Sequence, residues 1–405
     1  MTRIAITGIG VVAPGAIGID AFRAMLAGGH SAVGEIDRFD TTGLSAHRAA
    51  LVRDFKPRDF IAPMKLRRMN ALSRYAMAAA RLALDDRREP VAEPAATGVA
   101  LGTAFGPVQT SVDYMQEYVE KGAALAPPQL FAESVANAPG SHIAIEWGFR
   151  GFNFTVTQRE SSALTAAMIA CSQLLKGAAR TVLIAGVEEA SEMLFSVLDR
   201  LGALAHDDGA AEASRPFDRR RNGLVLGEGG AALVAEPARG SAGKPPHVYG
   251  HFAGFGIARD ATATASDWGI GPNALVTAMK AAMEDAEIAL GDVDAIYASA
   301  NSTQHADALE YLALQQLFGD RTPPVVATKG YFGEYAAAGA LQIVAALLAV
   351  DEQMLHASCG FEEGDASMSI EVVRERRPAA LRNVIVNSLS AGGGIVSAVV
   401  SREAA

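Results

Sequence analysis

Cysteine and positive charge are scarce in this 405-residue chain. Only Cys171 and Cys359 are present, which excludes a disulfide framework or a cysteine-rich zinc site and is typical of a reducing compartment. Lysine and arginine number 35 against 45 aspartate and glutamate residues. The resulting net charge of -10 argues against a nucleic-acid partner, because no basic surplus is available to neutralise phosphates.

The N-terminus lacks the features of a membrane anchor or a secretion signal. Its apolar segment, MTRIAITGIGVVAPGA, is too short and too interrupted by glycine to span a bilayer, and it has no cleavage-site pattern after a basic region. We therefore expect a cytoplasmic protein, and the composition implies neither a metal nor a cofactor.

What the chain does have is a regular alternation of apolar β-type runs with alanine-rich helical segments. Half of its residues are hydrophobic, which indicates a well-packed core. The alternation predicts an α/β fold with mainly buried strands. The strand-like runs are RIAITGIGVV, TGVALGTAFG, FNFTVTQ, RTVLIAGVEEA, LVLGEGGAALVAEP, VDAIYASANS, PPVVATKG, SMSIEVV and LRNVIVNSLSAGGGIVSAVVS.

Two segments with the same pattern suggest that the fold is duplicated. GLVLGEGGAALVAEP and NSLSAGGGIVSAVVS each join a glycine cluster to a terminal apolar strand, although glycine-rich turns before strands also arise by chance. A linker rich in Pro and Gly, Glu236 to His247, separates the two. We expect an N-terminal half over residues 1–240 and a C-terminal half over residues 247–405.

The stretch FNFTVTQRESSALTAAMIACSQLL, Phe152 to Leu175, changes from a β-type run to a helical pattern. Gln158 to Ser162 therefore form a predicted strand-to-helix elbow. Such an elbow presents a side chain beside free backbone N–H groups that can hold a developing anion, and it usually carries a nucleophile. Here the central residue is Glu160.

Long blocks of the sequence resemble the β-ketoacyl synthases of the condensing-enzyme family. These blocks are RIAITGIGVVAPGAIGIDAFRAMLAGGHSAVGEIDRFD, DFKPRDFIAPMKLRRMNALSRYAMAAARLAL, AEASRPFDRRRNGLVLGEGGAALV and NSLSAGGGIVSAVV. The resemblance implies the thiolase fold, a duplicated α-β-α-β-α architecture of five layers, and an obligatory dimer. It also implies a catalytic cysteine that takes the acyl chain and two histidines that assist decarboxylation.

All three catalytic positions of that family are substituted here. Glu160 stands at the cysteine position, Ser299 at the first histidine position and Glu334 at the second. The surrounding motif residues are retained at matching spacing: Thr303, Asp307 and Glu310 after Ser299, and Lys329 and Gly333 before Glu334.

Other residues do not restore a nucleophile or a base. His305 is expected to be a solvated loop histidine, and Cys171 an inert thiol buried about three helical turns beyond the elbow. Ser161 and Ser162 have no recognisable histidine base and are expected to satisfy backbone groups at the helix start. An acyl anhydride on Glu160 would exchange with water, so we reject a self-sufficient synthase.

A condensing-enzyme fold without its triad resembles the chain length factor, or ketosynthase β subunit, of type II polyketide synthases. The resemblance implies a heterodimer with a catalytic ketosynthase α subunit, and acyl carrier protein as the carrier of the chain. Glu160 replaces the glutamine usual in aromatic systems, which favours a highly reducing, polyene-type system. An initiating decarboxylase of malonyl carrier protein, an aromatic-type chain length factor and a purely stabilising subunit remain alternatives.

Glu160 itself has two candidate roles. As a fixed anion it would accept the N–H bonds that in an active subunit hold the thioester oxyanion, and so fill the pocket. Alternatively it could assist decarboxylation of malonyl carrier protein, but a negative charge would repel the malonate carboxylate, which favours the filled pocket.

The resemblance also points to a tunnel wall and a docking patch. Val108, Ser111 and Met115 lie at i, i+3 and i+7 on one helix face that would line the tunnel toward the partner, although such a stripe is also typical of ordinary core. Phe105, in the preceding turn, matches a position that gates acyl length.

The basic cluster MKLRRMN contributes Lys65, Arg67 and Arg68. It lies in a block where condensing enzymes meet the acidic acyl carrier protein, and a basic patch there would steer association. A merely solvated basic face is the alternative.

Overall fold

The computed structural model describes residues 3–209, 211–238, 247–335 and 338–403. Most of the predicted linker, residues 239–246, lies outside the described residues. Fifteen strands are described: β1 Ile4–Ala13, β2 Ala16–Ile17, β3 Gly34–Glu35, β4 Arg48–Ala49, β5 Thr97–Gly102, β6 Asn153–Val156, β7 Thr181–Glu188, β8 Gly229–Pro237, β9 Gly250–Arg259, β10 Ala295–Tyr297, β11 Val325–Val326, β12 Met354–Leu355, β13 Arg377–Pro378, β14 Asn383–Leu389 and β15 Gly394–Ser401.

The described residues also form twelve α-helices, which lie between and on both sides of the strands. They are α1 Ile19–Gly28, α2 Pro63–Leu66, α3 Ala71–Asp86, α4 Val108–Lys121, α5 Pro128–Glu133, α6 Ala138–Trp147, α7 Ser162–Leu175, α8 Glu192–Arg200, α9 Asn273–Asp285, α10 Gln304–Phe318, α11 Lys329–Phe332 and α12 Ala338–Glu352. Within these parts of the chain, no helix has the length and apolar character needed to cross a membrane.

The strand order confirms the predicted duplication. The large sheet runs β11-β10-β14-β15-β9-β1-β8-β7-β5-β6. In the first half β5 pairs in parallel with β6 and β7, and β8 is antiparallel to both β7 and β1. In the second half β10 pairs in parallel with β11 and β14, and β15 is antiparallel to both β14 and β9. The glycine-led strands β8 and β15 occupy equivalent places.

The helices complete five layers, α-β-α-β-α. Helices α7 and α12 lie between the two halves of the sheet, and their side chains form one apolar cluster with both halves. Helix α3 packs on the outer face of the first half, and α9 packs on the outer face of the second. This is the thiolase fold that the resemblance predicted.

Paired glycines let each outer helix approach its sheet closely. A Cβ added at Gly10 in β1 would lie 2.0 Å from the carbonyl oxygen of Ala79 in α3. The equivalent addition at Gly256 in β9 would lie 2.0 Å from the carbonyl oxygen of Ala278 in α9. Both contacts are shorter than van der Waals distance, so the helix can pack at this depth only against glycine.

Two strand assignments from the sequence need correction. Strand β9 was not predicted, because the glycines that admit α9 interrupt its β-branched pattern. The segment SMSIEVV was predicted as a strand but makes only an isolated bridge, between Val325 and Val372. Because β11 lies at the edge of the sheet and has two residues, it supports little more pairing than this bridge.

The central helix α12 carries one buried polar side chain, Gln342. Its Nε2 donates to the carbonyl oxygens of Tyr297 at 2.6 Å, Ala298 at 2.9 Å and Asn387 at 3.1 Å. These carbonyls belong to β10, the residue after it, and β14. The amide therefore fastens α12 to the ends of the strands that carry the candidate site.

We predict that Gln342→Leu lowers the free energy of unfolding by about 1–3 kcal/mol, because buried carbonyl groups lose their donor. Urea denaturation of the purified variant measures this change. Gln116→Leu, on the exposed face of α4, is the matched control and should change stability by less than about 0.5 kcal/mol. Equal effects of the two substitutions would contradict the fastening role.

Candidate active site

The predicted strand-to-helix elbow is confirmed. Strand β6 ends at Val156, a single 3-10 turn spans Arg159–Ser161, and α7 begins at Ser162. Arg159 has a φ of 46°, in the left-handed region that side-chain-bearing residues adopt at a cost. A strained residue directly before the central position is what turns the chain sharply enough to present Glu160.

The two serines of the elbow satisfy backbone groups, as expected. The backbone N–H of Gln158 donates to Ser162 Oγ at 2.8 Å, and that hydroxyl donates to the carbonyl oxygen of Arg159 at 2.6 Å. Ser161 Oγ donates to the carbonyl oxygen of Gln158 at 3.0 Å. Both hydroxyls are buried and engaged in fixing the turn.

Glu160 points from the elbow toward the glycine-rich turn between β14 and β15. Its Oε2 accepts the backbone N–H of Ala391 at 3.0 Å. The pKa of Glu160 is raised to about 7, first by burial and then by the negative charge of Glu334, which together outweigh the opposite effects of Lys329 and the Ala391 N–H. The carboxyl group is therefore divided between its neutral and charged forms near pH 7.

Ser299 follows β10 and is held through its hydroxyl, its carbonyl oxygen and its backbone N–H. Its Oγ accepts the backbone N–H of Leu389 at 2.9 Å, and its carbonyl oxygen accepts the ammonium of Lys329 at 2.7 Å. A serine hydroxyl that accepts a backbone bond beside an ammonium group has no base to take its proton. In this environment Ser299 is a structural link between the loop after β10 and β14.

Glu334 forms an ion pair with Lys329, and both side chains are buried. Its Oε2 also accepts the side-chain amide of Asn301 at 3.1 Å. The other oxygen, Oε1, has no hydrogen-bond partner within the described parts of the chain. This arrangement neutralises the buried ammonium and leaves one buried carboxylate oxygen of Glu334 without a hydrogen bond among the described residues.

The retained acidic motif residues fasten backbone loops. Glu310 accepts the N–H groups of Ser299 at 3.1 Å and Ala300 at 2.8 Å, and Asp307 accepts the N–H of Asn301 at 2.8 Å. Burial raises the pKa of Glu310 to about 7 and that of Asp307 to about 6. These carboxyl groups hold the loop that carries Ser299, and neither lines the cavity described next.

A cavity of about 440 Å³ opens beside the elbow, and we call it the elbow cavity. Glu160, Glu334, Phe105 and His305 line it, whereas Ser299 does not. The structure therefore brings two of the three substituted positions to one space. Among the described residues, no group of three or more His, Cys, Asp or Glu side chains could hold a metal ion.

One wall of the elbow cavity is apolar. Helix α8 and the segments that follow it supply five leucines to this wall. They are Leu194, Leu198, Leu201, Leu224 and Leu226. The cavity can accept an apolar chain, but its polar end offers carboxyl groups rather than a thiol and two imidazoles.

His305 was expected in a loop, and this was wrong. It lies in the first turn of α10, because the Thr303 hydroxyl caps that helix by accepting the N–H of Ala306 at 3.3 Å. The imidazole is exposed at the cavity rim and contacts the carbonyl oxygen of Gly269. This contact turns the imidazole toward the loop that contains Gly269.

The cysteines are remote from the elbow chemistry. Cys171 is buried in α7, where burial raises the pKa of its thiol, and it lines a different cavity. Burial raises the pKa of Cys359 to about 11. Neither thiol forms the thiolate that an acyl transfer requires near neutral pH.

Helix α4 is the helix predicted to line a tunnel, and its three predicted residues differ in exposure. Met115 is 53% exposed, Val108 is half-buried, and Ser111 is half-buried. Ser111 Oγ donates to the carbonyl oxygens of Pro107 at 3.0 Å and Ser134 at 3.3 Å. None of the three lines the elbow cavity. A tunnel lined by these residues would therefore lie outside that cavity, at the surface of this chain.

The basic cluster lies at the exposed helix α2 and just beyond it. Lys65 forms an ion pair with Glu146 of α6, while Arg67 and Arg68 are exposed and make no ion pair within the described residues. The available positive charge of the patch is therefore carried by the two arginines.

Two groups of the site were not predicted from the sequence. Ala391 N–H holds Glu160, and Asn301 holds Glu334. Both residues lie in segments that the resemblance had already marked, NSLSAGGG and SANSTQHADALE. Their positions could have been found there, but the direction of an N–H or amide group depends on the turn geometry.

Comparisons with known proteins agree with this geometry. Residues 1–239 match the β-ketoacyl synthase N-terminal domain family, and residues 249–362 match the β-ketoacyl synthase C-terminal domain family. The chain is 31% identical to 3-oxoacyl-[acyl-carrier-protein] synthase 2 of Coxiella burnetii, and the match covers 99% of this chain and 98% of that protein.

Two further relatives have more specific names. The chain is 30% identical to the tetracenomycin polyketide synthase ketoacyl synthase beta subunit of Streptomyces glaucescens, with 98% of each protein covered. Its structure is similar to that of the ishigamide ketosynthase/chain length factor, with a TM-score of 0.92, 26% identity and 99% of each chain covered. From its fold, its motifs and these matches, the chain belongs to the β-ketoacyl synthase family.

Proposed function

We propose that this chain is a non-catalytic chain length factor that pairs with a catalytic ketosynthase subunit and shapes the space in which a polyketide chain grows. The observation that carries the proposal is the replacement of all three catalytic positions by Glu160, Ser299 and Glu334 within an intact family fold. A carboxyl group held by a backbone N–H, a bonded serine and an ion-paired carboxylate supply no nucleophile for acyl transfer.

The names of two relatives support this role. One is a ketoacyl synthase beta subunit and the other a ketosynthase/chain length factor, and both match the chain over nearly its whole length. A polyene-type system is the finer part of the proposal, and it rests on Glu160 in place of the glutamine of aromatic systems.

The partner would bind at the β6 edge of the large sheet, opposite the β11 edge. Strand β6 forms this edge in the described structure, and an unpaired strand edge is a template for pairing with another chain. Exposed apolar side chains also lie on α4 and α5, including Met115 and Val119 of α4 and Phe131 of α5. An apolar surface of this kind is typical of a protein interface.

Chain length would be set by the face of α4. Met115 is the most exposed of the predicted tunnel residues, so its bulk would meet a growing chain at the interface, with Val108 and Phe105 nearer the elbow. Ser111 is bonded to the loop after α5 and would act through the position of that loop. The arginines of the basic cluster, Arg67 and Arg68, would attract an acidic carrier protein.

A second candidate function is decarboxylation of malonyl carrier protein to start a chain. One observation favours it: the pKa of Glu160 is about 7, so the neutral form that does not repel a malonate carboxylate is populated near pH 7. Against it, the Ala391 N–H, which could stabilise an enolate oxygen, is already engaged by Glu160.

We predict that the purified chain forms no covalent acyl adduct with acyl carrier proteins and releases no acetyl carrier protein from malonyl carrier protein. The physical reason is the absence of a thiolate and of an imidazole pair at the elbow. Intact-protein mass spectrometry measures both. The catalytic partner, which keeps its cysteine, is the positive control.

An adduct on Glu160 or on a serine would contradict the non-catalytic role. Formation of acetyl carrier protein that disappears in Glu160→Ala would instead establish the second candidate.

We predict a pH-dependent stability difference between Glu160→Gln and the unaltered chain. A carboxyl pKa raised from 4.5 to about 7 in the folded state stabilises the fold fully below pH 4.5, and this contribution is lost as pH rises through 7. A glutamine side chain does not ionise, so it makes no such pH-dependent contribution. Relative to the unaltered chain, the variant's free energy of unfolding should therefore rise between pH 4.5 and 7 by on the order of 1–3 kcal/mol. Above pH 7 the difference should level off.

Denaturant unfolding at several pH values measures the difference. Glu284→Gln, at an exposed position of α9, should show none of this dependence. A flat difference for Glu160→Gln across the same range would show that its carboxyl group titrates normally.

We predict that Met115→Trp in the heterodimer shortens the products and that Met115→Ala lengthens them, because side-chain bulk on this face limits the space for later extensions. The mass distribution of carrier-bound products from the reconstituted heterodimer is the readout. Gln116→Trp, one position along the exposed face, is the matched control. Unchanged distributions for both Met115 variants, with the heterodimer intact, would place length control elsewhere.

A further inference from the structure

A second cavity, of about 530 Å³, lies on the far side of Arg159 from the elbow cavity, and we call it the arginine cavity. Its charged lining residues are Arg159 and Arg259, and no acidic residue lines it. Gln158 and Ser390 add polar side chains. In a chain with a net charge of -10, a cavity with two positive residues and no counter-charge stands out.

Arg159 is held in place by the elbow. Its backbone adopts a φ of 46°, and its guanidinium lies 5.9 Å from the centre of the Phe105 ring. It lines both cavities, so it forms part of the wall between them. Arg259 is the last residue of β9, and its side chain is exposed on the other side of the cavity.

Neither of these arginines has an acidic partner among the described residues, where no ion pair includes Arg159 or Arg259. Two buried arginines elsewhere are paired, Arg87 with Glu236 at 3.0 Å and Arg221 with Asp365 at 2.9 Å, whereas several exposed arginines, like Arg259, make no ion pair among the described residues. Because a guanidinium presents a planar fork that matches a carboxylate, two of them at one cavity favour an anion that comes from outside the chain.

The position of the cavity indicates where that anion comes from. Gln158 and Arg159 lie two and three residues beyond the end of β6, an edge strand of the sheet, while the other lining residues come from β9 and the turn that leads into β15. Ile257, which also lines the cavity, is 51% exposed and gives it an apolar edge. Arginine beside exposed apolar side chains is the composition of a protein interface core.

We propose that the arginine cavity receives an aspartate or glutamate side chain of the catalytic ketosynthase subunit. The inference rests on the proposed function, since it names a contact within that heterodimer. The carboxylate lies between Arg159 and Arg259, and Ile257 contacts the apolar part of the partner's side chain. The pair of arginines thereby contributes to the choice of partner as well as to affinity.

The test measures heterodimer affinity as a function of salt. Arg159→Gln/Arg259→Gln should raise Kd by roughly 10- to 100-fold at low salt, because the partner's carboxylate loses its counter-charge on binding. The salt dependence of Kd should fall at the same time. Arg321→Gln/Arg382→Gln, which removes two exposed arginines of the second half, is the matched control and should leave Kd within about twofold.

A charge-retaining variant separates this contact from a folding defect. Arg159→Lys/Arg259→Lys keeps the positive charge but not the planar fork, so it should recover most of the salt dependence and part of the affinity. Each variant's thermal unfolding is measured alone, and a variant that pairs poorly although it is folded supports the proposal.

Three outcomes overturn the inference. If the unaltered chain pairs with its ketosynthase and the glutamine variant pairs equally well, the cavity receives no partner carboxylate while the proposed function stands. If malonate or inorganic phosphate stabilises the chain through these arginines and Kd is unchanged, the cavity is a small-anion site. If the unaltered chain does not pair at all, the proposed function fails and this contact fails with it.

Discussion

A buried ammonium group governs the chemistry of this site. Lys329 is 2% exposed, and its charge must be balanced within the protein because an isolated buried ion is costly. Glu334 supplies that balance, and the carbonyl oxygen of Ser299 takes a further N–H. Two of the three substituted positions are therefore bound to one lysine, and the third, Glu160, responds to both charges through its pKa.

This network explains how the site keeps its shape with Glu160, Ser299 and Glu334 at these positions. Glu310 and Asp307 hold the loop that carries Ser299, and the elbow is fixed by Ser161 and Ser162. Glu160 then meets the Ala391 N–H, so a donor that could hold an oxyanion is engaged from within the chain. The result is a preserved scaffold in which Glu160 occupies a backbone donor beside an open cavity of about 440 Å³.

The fold could be predicted further from sequence than the site. Strand β1 and the glycine-led strands β8 and β15 have clear patterns, and their repetition predicted the duplication that the strand order confirms. Strand β9 was missed because its glycines serve close packing with α9, which depends on contacts far along the chain. The elbow was predicted, yet the importance of Arg159 was not, because its environment joins β6, β9 and the turn before β15.

We propose that a heterodimer of this chain with its ketosynthase carries acyl chains on the partner alone. The most direct test is the number and location of acyl groups on the reconstituted heterodimer after saturation with acyl carrier protein, read subunit by subunit by mass spectrometry. We expect one acyl group per heterodimer, on the partner's cysteine, and none on this chain. A second acyl group, located on any residue of this chain, would contradict the account.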